Sequence, residues 1–142
     1  MEWKLNEQVC FLLYANSRNI IKTYKDVLDP LNLTYTQYIT MIALWEKDHQ
    51  LVSDLGHRLA LDSGTLTPLL KKLELDGRIT RTRDDVDQRK VWIDLTEKGK
   101  ALSIEAESIP EKIISCVPMD MAEGYKLYEL LRKLYETDIH CK

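Results

Sequence analysis

Apolar positions recur at helical spacing along most of the chain and change once to strict alternation. Val9, Leu12, Leu13, Ile20, Ile21, Tyr24, Val27 and Leu28 predict a first helix from Asn6 to Asp29, which Pro30 ends. Thr34-Tyr35-Thr36-Gln37 has the form of a capping box and opens a second helix through Ile39, Ile42, Ala43 and Trp45. Leu55 and Leu59, four apart, mark a short third helix from Ser53 to Ala60. The cap and turn residues Asp62, Ser63 and Gly64 then start a fourth, which carries Leu66, Leu69, Leu70 and Leu73 and stops at Asp76-Gly77. Pro68 falls near its start, where N–H groups lack intrahelical partners anyway.

The period drops to two at Ile79-Thr80-Arg81-Thr82-Arg83 and again at Val91-Trp92-Ile93-Asp94-Leu95. With the polar tip 84–90 between them, these read as a β-hairpin with a long charged loop. Thr96 caps a further helix that Pro110 kinks or breaks, and behind Asp120 a last amphipathic helix carries Tyr125, Leu127, Leu130, Leu131, Leu134 and Tyr135. A short helix, a turn, a second helix and then a hairpin is the order of a winged helix-turn-helix. The expected fold class is therefore mainly α with one small β-hairpin. We read one continuous unit over 1–142, with a winged-helix part at 33–96 and helical parts at 1–32 and 97–142.

Length and composition fit this: 142 residues, 44% apolar and 30% charged, are ordinary for one globular domain. The net charge of −3 argues weakly against a nucleic-acid partner. Its distribution removes the objection. Residues 71–90 hold seven Lys/Arg against five Asp/Glu, whereas 97–142 hold seven against nine. In the fourth helix Ser63, Thr65 and Thr67 are small, polar and early, suited to base edges in a major groove. Lys71 and Lys72 follow at phosphate-contact positions, and the hairpin adds Arg81, Arg83, Arg89 and Lys90. By pattern alone a solvated charged hairpin on any α+β domain explains these residues equally well.

The run from Leu61 to Glu74, Leu-Asp-Ser-Gly-Thr-Leu-Thr-Pro-Leu-Leu-Lys-Lys-Leu-Glu, followed by Gly77, Asp87-x-Arg89 and Leu95-Thr96-Glu97-x-Gly99, resembles the MarR family of bacterial transcription regulators. The Asp-Ser-Gly-Thr-Leu-Thr-Pro segment narrows the resemblance to the branch of organic-hydroperoxide regulators and their staphylococcal redox relatives. It extends from Asn6 through Pro110. The resemblance implies a homodimer with intertwined N- and C-terminal helices that grips a pseudo-palindromic double-stranded DNA operator. The recognition helix would lie in the major groove and Arg89 in the minor groove, with Asp87 orienting it. Repression is the expected mode, with activation also open.

Three cysteines, Cys10, Cys116 and Cys141, are odd in number and widely spaced, which excludes a disulfide framework and a Cys-x-x-Cys site. By pattern alone Cys10 is a small buried hydrophobe. The resemblance implies instead the peroxide-sensing thiol, because the family carries it in this Gln-x-Cys-Phe context. It also implies two tyrosines of the partner subunit, matched by Tyr24 and Tyr35, that donate hydroxyls to the sulfur. A thiolate near the helix start at Asn6 would attack an organic hydroperoxide and become a sulfenic acid, within an apolar lining from Phe11 and its neighbours. A second cysteine on the partner, for which Cys116 is the candidate, or a low-molecular-weight thiol would then resolve it. Cys141, beside His140, is expected to fray, and the two make at best a weak metal pair.

Two other functions fit parts of this pattern. The same DNA-binding residues serve a repressor released by a small aromatic anion, with Cys10 only packing. A thiol peroxidase would use Cys10 too, but lacks a recycling motif and a use for the wing. No cofactor motif, metal-ligand spacing or catalytic triad is evident, and His49 and His57 suggest no ligand set. No run reaches the roughly 18 apolar residues of a membrane span, and no signal peptide opens the chain, so no membrane partner and a cytoplasmic location are expected.

Overall fold

The computed structural model describes residues 3–137, so His140 and Cys141 lie outside the described residues. The elements follow the expected order: α1 (Val9–Leu28), α2 (Tyr35–Glu46), β1 (Gln50–Leu51), α3 (Val52–Leu59), α4 (Ser63–Leu75), β2 (Ile79–Arg83), β3 (Val91–Leu95), α5 (Glu97–Ala106), α6 (Ile109–Ser115) and α7 (Met121–Tyr135). The described residues group into two compact units, one ending at Pro110 and one beginning at Glu111. The first includes α1 and α5 with the winged helix, because both pack on α2.

In the first unit α2 is the central helix. Tyr38, Met41 and Leu44 on α2 are buried with Leu55 of α3, Leu66, Leu70 and Leu73 of α4, Ile79 of β2 and Ile93 of β3. Each such side chain contributes roughly 1.5–3 kcal/mol on burial. Thr34 caps α2 as its sequence predicts: its hydroxyl accepts from Gln37 N and Gln37 Oε1 accepts from Thr34 N. Asp62 caps α4 by accepting from Thr65 N at 2.8 Å, and Gly77 ends it in the left-handed region at φ 71°.

The hairpin is present but is not the whole sheet. β1 pairs antiparallel with β3, giving the order β1-β3-β2. Two residues, one of them the buried Gln50, carry no alternation from which sequence could read a strand. The register pairs Ile79 with Leu95, Arg81 with Ile93 and Arg83 with Val91. Arg81 therefore shares the core-facing side of the sheet with Ile79 and Ile93.

Two helix boundaries move. Asn6 belongs to a 3-10 turn over Leu5–Glu7, Gln8 is extended, and α1 starts only at Val9. The break expected at Pro110 comes earlier, at residues 107–108, and Pro110 is the second residue of α6, where it costs no hydrogen bond.

In the second unit a capping box of Asp120 and Glu123 opens α7. Its apolar residues are solvent-facing, among them Leu127, Leu130, Leu131 and Leu134. On α1 of the first unit Leu12, Leu13, Ile20 and Ile21 are likewise exposed. No helix among the described residues is long and apolar enough to cross a membrane.

Candidate nucleic-acid interface and thiol site

The two helices of the helix-turn-helix meet through Ala60, which adopts φ 51° in the turn after α3. On α4, alternate faces have opposite fates. Leu66, Leu69, Leu70 and Leu73 are buried, and Ser63, Thr65, Thr67, Lys71 and Lys72 are exposed. The small hydroxyl residues and the two lysines thus stand together on the solvent face, as their spacing predicts.

The cations of the hairpin do not all share that exposure. Arg83 and Lys90 are exposed, and Arg83 donates to Gln88 O at 3.3 Å. Arg81 instead turns to Glu74 of α4, with Nε 2.8 Å and a terminal nitrogen 2.7 Å from Oε2. It shares the inward face with Ile79 and pairs within the fold, apart from the exposed cations. Arg78, counted in the basic segment, is 6% exposed and donates to the carbonyls of Leu31 and Asn32 at 2.6 and 3.2 Å.

At the wing tip, Arg89 is 91% exposed and its guanidinium is gripped by Asp87, at 3.0 Å through Nε and 3.2 Å through a terminal nitrogen. Asp87 also accepts from Arg89 N at 3.1 Å. The orienting role expected of Asp87 therefore has its geometry, and this side-chain bond to Arg89 is what chiefly holds the Asp87 carboxyl below its usual value. Asp84 folds the tip. It accepts from Trp92 Nε1, Val86 N and Asp87 N, each at 2.9 Å. These bonds, the indole first, lower its pKa to about 2. A carboxyl with a lowered folded pKa stabilises the fold fully above its ordinary value and loses that contribution as pH falls through the lowered one. The Asp84 side-chain carboxyl carbon resonance is therefore expected to hold its position through pH 4 and to move only near pH 2. A midpoint near 4 in an NMR titration would remove Asp84 as the organiser. Sequence reasoning passed over Asp84, although Asp84-Asp85-Val86-Asp87 carries the signal of a side chain bonding its own turn.

The thiol lies elsewhere in the same unit. Cys10 is exposed and is the second residue of α1, nearer the helix terminus than a start at Asn6 implies. Its N–H is one of those a helix start leaves without an intrahelical acceptor. Tyr24 and Tyr35 are brought together, with ring centroids 4.9 Å apart, and Tyr38 lies 5.8 Å from Tyr24. Burial, then the neighbouring phenols, pushes the Tyr24 hydroxyl above its ordinary pKa, so it remains a donor at neutral pH. Phe11 is half-buried. In the second unit, Cys116 is exposed just past the end of α6, its thiol 3.3 Å from Lys112 O. Among the described residues no three His, Cys, Asp or Glu side chains form a metal-binding group.

Comparison with known proteins agrees with this geometry. Residues 22–107 match the family described as transcriptional regulator SarA/Rot. The organic hydroperoxide resistance transcriptional regulator of Bacillus subtilis is 47% identical over 134 residues, 94% of this chain and 91% of that protein. The regulator SarZ of Staphylococcus aureus is 47% identical over 129 residues, 90% and 86% of the two. AbfR of Staphylococcus epidermidis, solved reduced and bound to DNA, is 37% identical over 92% of this chain and 91% of that one, with TM-score 0.72. It has also been solved overoxidised on DNA and in a disulfide form. The chain belongs to the MarR-type family of winged-helix transcription regulators, on the branch of the organic-hydroperoxide regulators.

Proposed function

We propose that this regulator is a cytoplasmic, homodimeric repressor that releases a pseudo-palindromic operator when an organic hydroperoxide oxidises Cys10. The observation that carries the redox reading is the tilted, adjacent ring pair Tyr24 and Tyr35 in the same unit as an exposed cysteine in the first turn of α1. Two neighbouring phenol hydroxyls are suited to donate to a sulfur anion contributed by a second copy. The exposed apolar residues of α1, and separately those of α7, are ones that a second copy would cover. Among the relatives, the organic hydroperoxide resistance regulator of Bacillus and the overoxidised and disulfide forms of AbfR support oxidation chemistry in this branch.

The step is a two-electron oxidation. The Cys10 thiolate attacks the distal oxygen of the hydroperoxide, the O–O bond breaks, and the alcohol leaves after taking a proton. The sulfur is left as a sulfenic acid. A second thiol then displaces water to form a disulfide. Cys116 of the partner or a low-molecular-weight thiol fills that role. On the DNA, Ser63, Thr65 and Thr67 meet base edges, Lys71, Lys72, Arg83 and Lys90 meet phosphates, and Arg89 enters the minor groove under the guidance of Asp87. Arg81 is omitted, since Glu74 holds it.

The test is operator binding by wild type and Cys10→Ser, with and without cumene hydroperoxide, on a duplex selected by the protein from a random library. Wild type is expected to release DNA on oxidation and Cys10→Ser to stay bound. Equal release by both would end the redox reading, and release of both by a small aromatic anion alone would favour the ligand-relieved repressor. A coupled assay showing many peroxide turnovers by a protein that binds no DNA would favour a peroxidase. Loss of an intersubunit disulfide in Cys116→Ser on a non-reducing gel would assign the resolving thiol to Cys116, and its retention would exclude it.

A further inference from the structure

The corner between α2 and β1 holds a residue whose backbone is unfavourable and whose side chain is surface-exposed. His49 adopts φ 54°, the left-handed region that favours glycine or asparagine, and its side chain is 61% exposed. Burial does not explain a histidine there. Its contacts do. The imidazole lies flat on the indole of Trp92, centroids 4.3 Å apart and planes within 4°. Its Nδ1 is 2.7 Å from Asp94 Oδ1. Asp48 secures the corner, accepting from His49 N and from Leu95 N at 2.8 Å each. The imidazole therefore spans two residues of β3, and the backbone beneath it is pinned to a third.

Trp92 carries this anchorage outward. Its only polar atom, Nε1, donates to Asp84 Oδ2, and the same carboxylate gathers the N–H groups of Val86 and Asp87 through Oδ1. Asp87 in turn grips the Arg89 guanidinium. Contacts thus run without a gap from the helical body to the cation at the wing tip. Apart from this indole bond, the loop 84–90 is shaped mainly by bonds to its own backbone and strand ends. Such a loop left to itself would point its tip in many directions.

We propose that His49 and Trp92 are positioning residues for the DNA-reading wing: their stack fixes Asp84 and, through Asp84 and Asp87, aims Arg89. The inference rests on the proposed reading of DNA by Arg89, and it gives the wing's direction to residues that touch no DNA themselves. A free hairpin would have to be ordered on the operator at an entropic cost. The stack removes part of that cost in advance.

The experiment is a mutant cycle on the selected operator duplex, read at one salt concentration. Trp92→Phe keeps an aromatic ring and removes the indole donor. His49→Asn removes the ring and keeps a residue that tolerates the left-handed backbone. Each is expected to weaken binding about threefold to tenfold, the scale of one lost hydrogen bond. In an Arg89→Ala background the same changes are expected to have less than about a twofold effect, because the residue they aim is gone. Amide exchange at Val86 and Asp87 in the free protein should quicken in both variants, a readout that needs no DNA.

Outcomes separate the two readings. If Arg89→Ala binds as wild type does, the wing-tip reading falls and this inference with it. If Arg89→Ala weakens binding but Trp92→Phe and His49→Asn do not, only the positioning role is overturned. Full additivity with Arg89→Ala overturns it as well, since the stack would then act on DNA binding by another route. Unchanged exchange at Val86 and Asp87 would show that the tip does not depend on the stack.

Discussion

Gly99→Ala is expected to destabilise the winged-helix unit by about 3–5 kcal/mol, the range of severe overpacking combined with lost hydrogen bonds. An added Cβ would sit 2.0 Å from Arg78 O and 3.1 Å from Arg78 C, both backbone atoms that cannot rotate away. Neither side has room to retreat. Arg78 O accepts from Thr96 N at 3.1 Å, and the Arg78 side chain is committed to the carbonyls of Leu31 and Asn32. Gly99 N donates to Thr96 Oγ1 at 3.0 Å, and Gly99 O accepts from Trp45 Nε1 at 2.9 Å. The substitution therefore pushes α5 off both α2 and the start of β2. Urea unfolding measures the effect, with Gly77→Ala as the comparison. Gly77 also needs its conformation, at φ 71°, but has open space around it, so its loss is limited to roughly 1 kcal/mol. A Gly99→Ala midpoint no lower than that of Gly77→Ala would show that the close approach relaxes without cost.

Arg89→Ala is expected to weaken operator binding by about 1–3 kcal/mol per wing, the scale of a specific contact. A homodimer has two wings, so the loss for one binding event approaches twice that if the wings act independently. Asp87→Ala should cost less, because it leaves the cation in place and removes only its aim. The exposed pair contributes little to stability, so both variants should unfold with wild type. Unaltered affinity of Arg89→Ala, measured by fluorescence anisotropy at moderate salt, would remove the wing tip from recognition.

The sequence carried most of this architecture because its signals were local. The capping residues Thr34, Asp62 and Thr96 sit where their helices start, and Gly77 sits where one stops. What it did not carry was set by pairing between distant segments. β1 is a strand only because β3 lies beside it. Arg81 resembled every other wing cation in composition, although its place two residues after Ile79 already put it on the inward face. Cys10 was one turn out of place because Gln8 interrupts a pattern whose apolar spacing runs on. The family motif Leu95-Thr96-Glu97-x-Gly99 was visible as a string of letters. Its reason, a glycine pressed against the Arg78 carbonyl, needed the packing.

The internal engagement of Arg78 and Arg81 bears on how such a protein finds its target. Of the seven basic residues in 71–90, Arg78 is enclosed and Arg81 is neutralised by Glu74, leaving five cations for phosphate or groove contact. One of those, Arg89, already shares a carboxylate. Fewer displaced counterions mean a shallow dependence of affinity on salt and a weak hold on random sequence. In the proposed dimer this gives short intervals on each stretch of DNA and frequent exchange with free solution. Discrimination falls to the fit of two recognition helices and two wings on one site, where a small change in geometry has the greatest effect on occupancy.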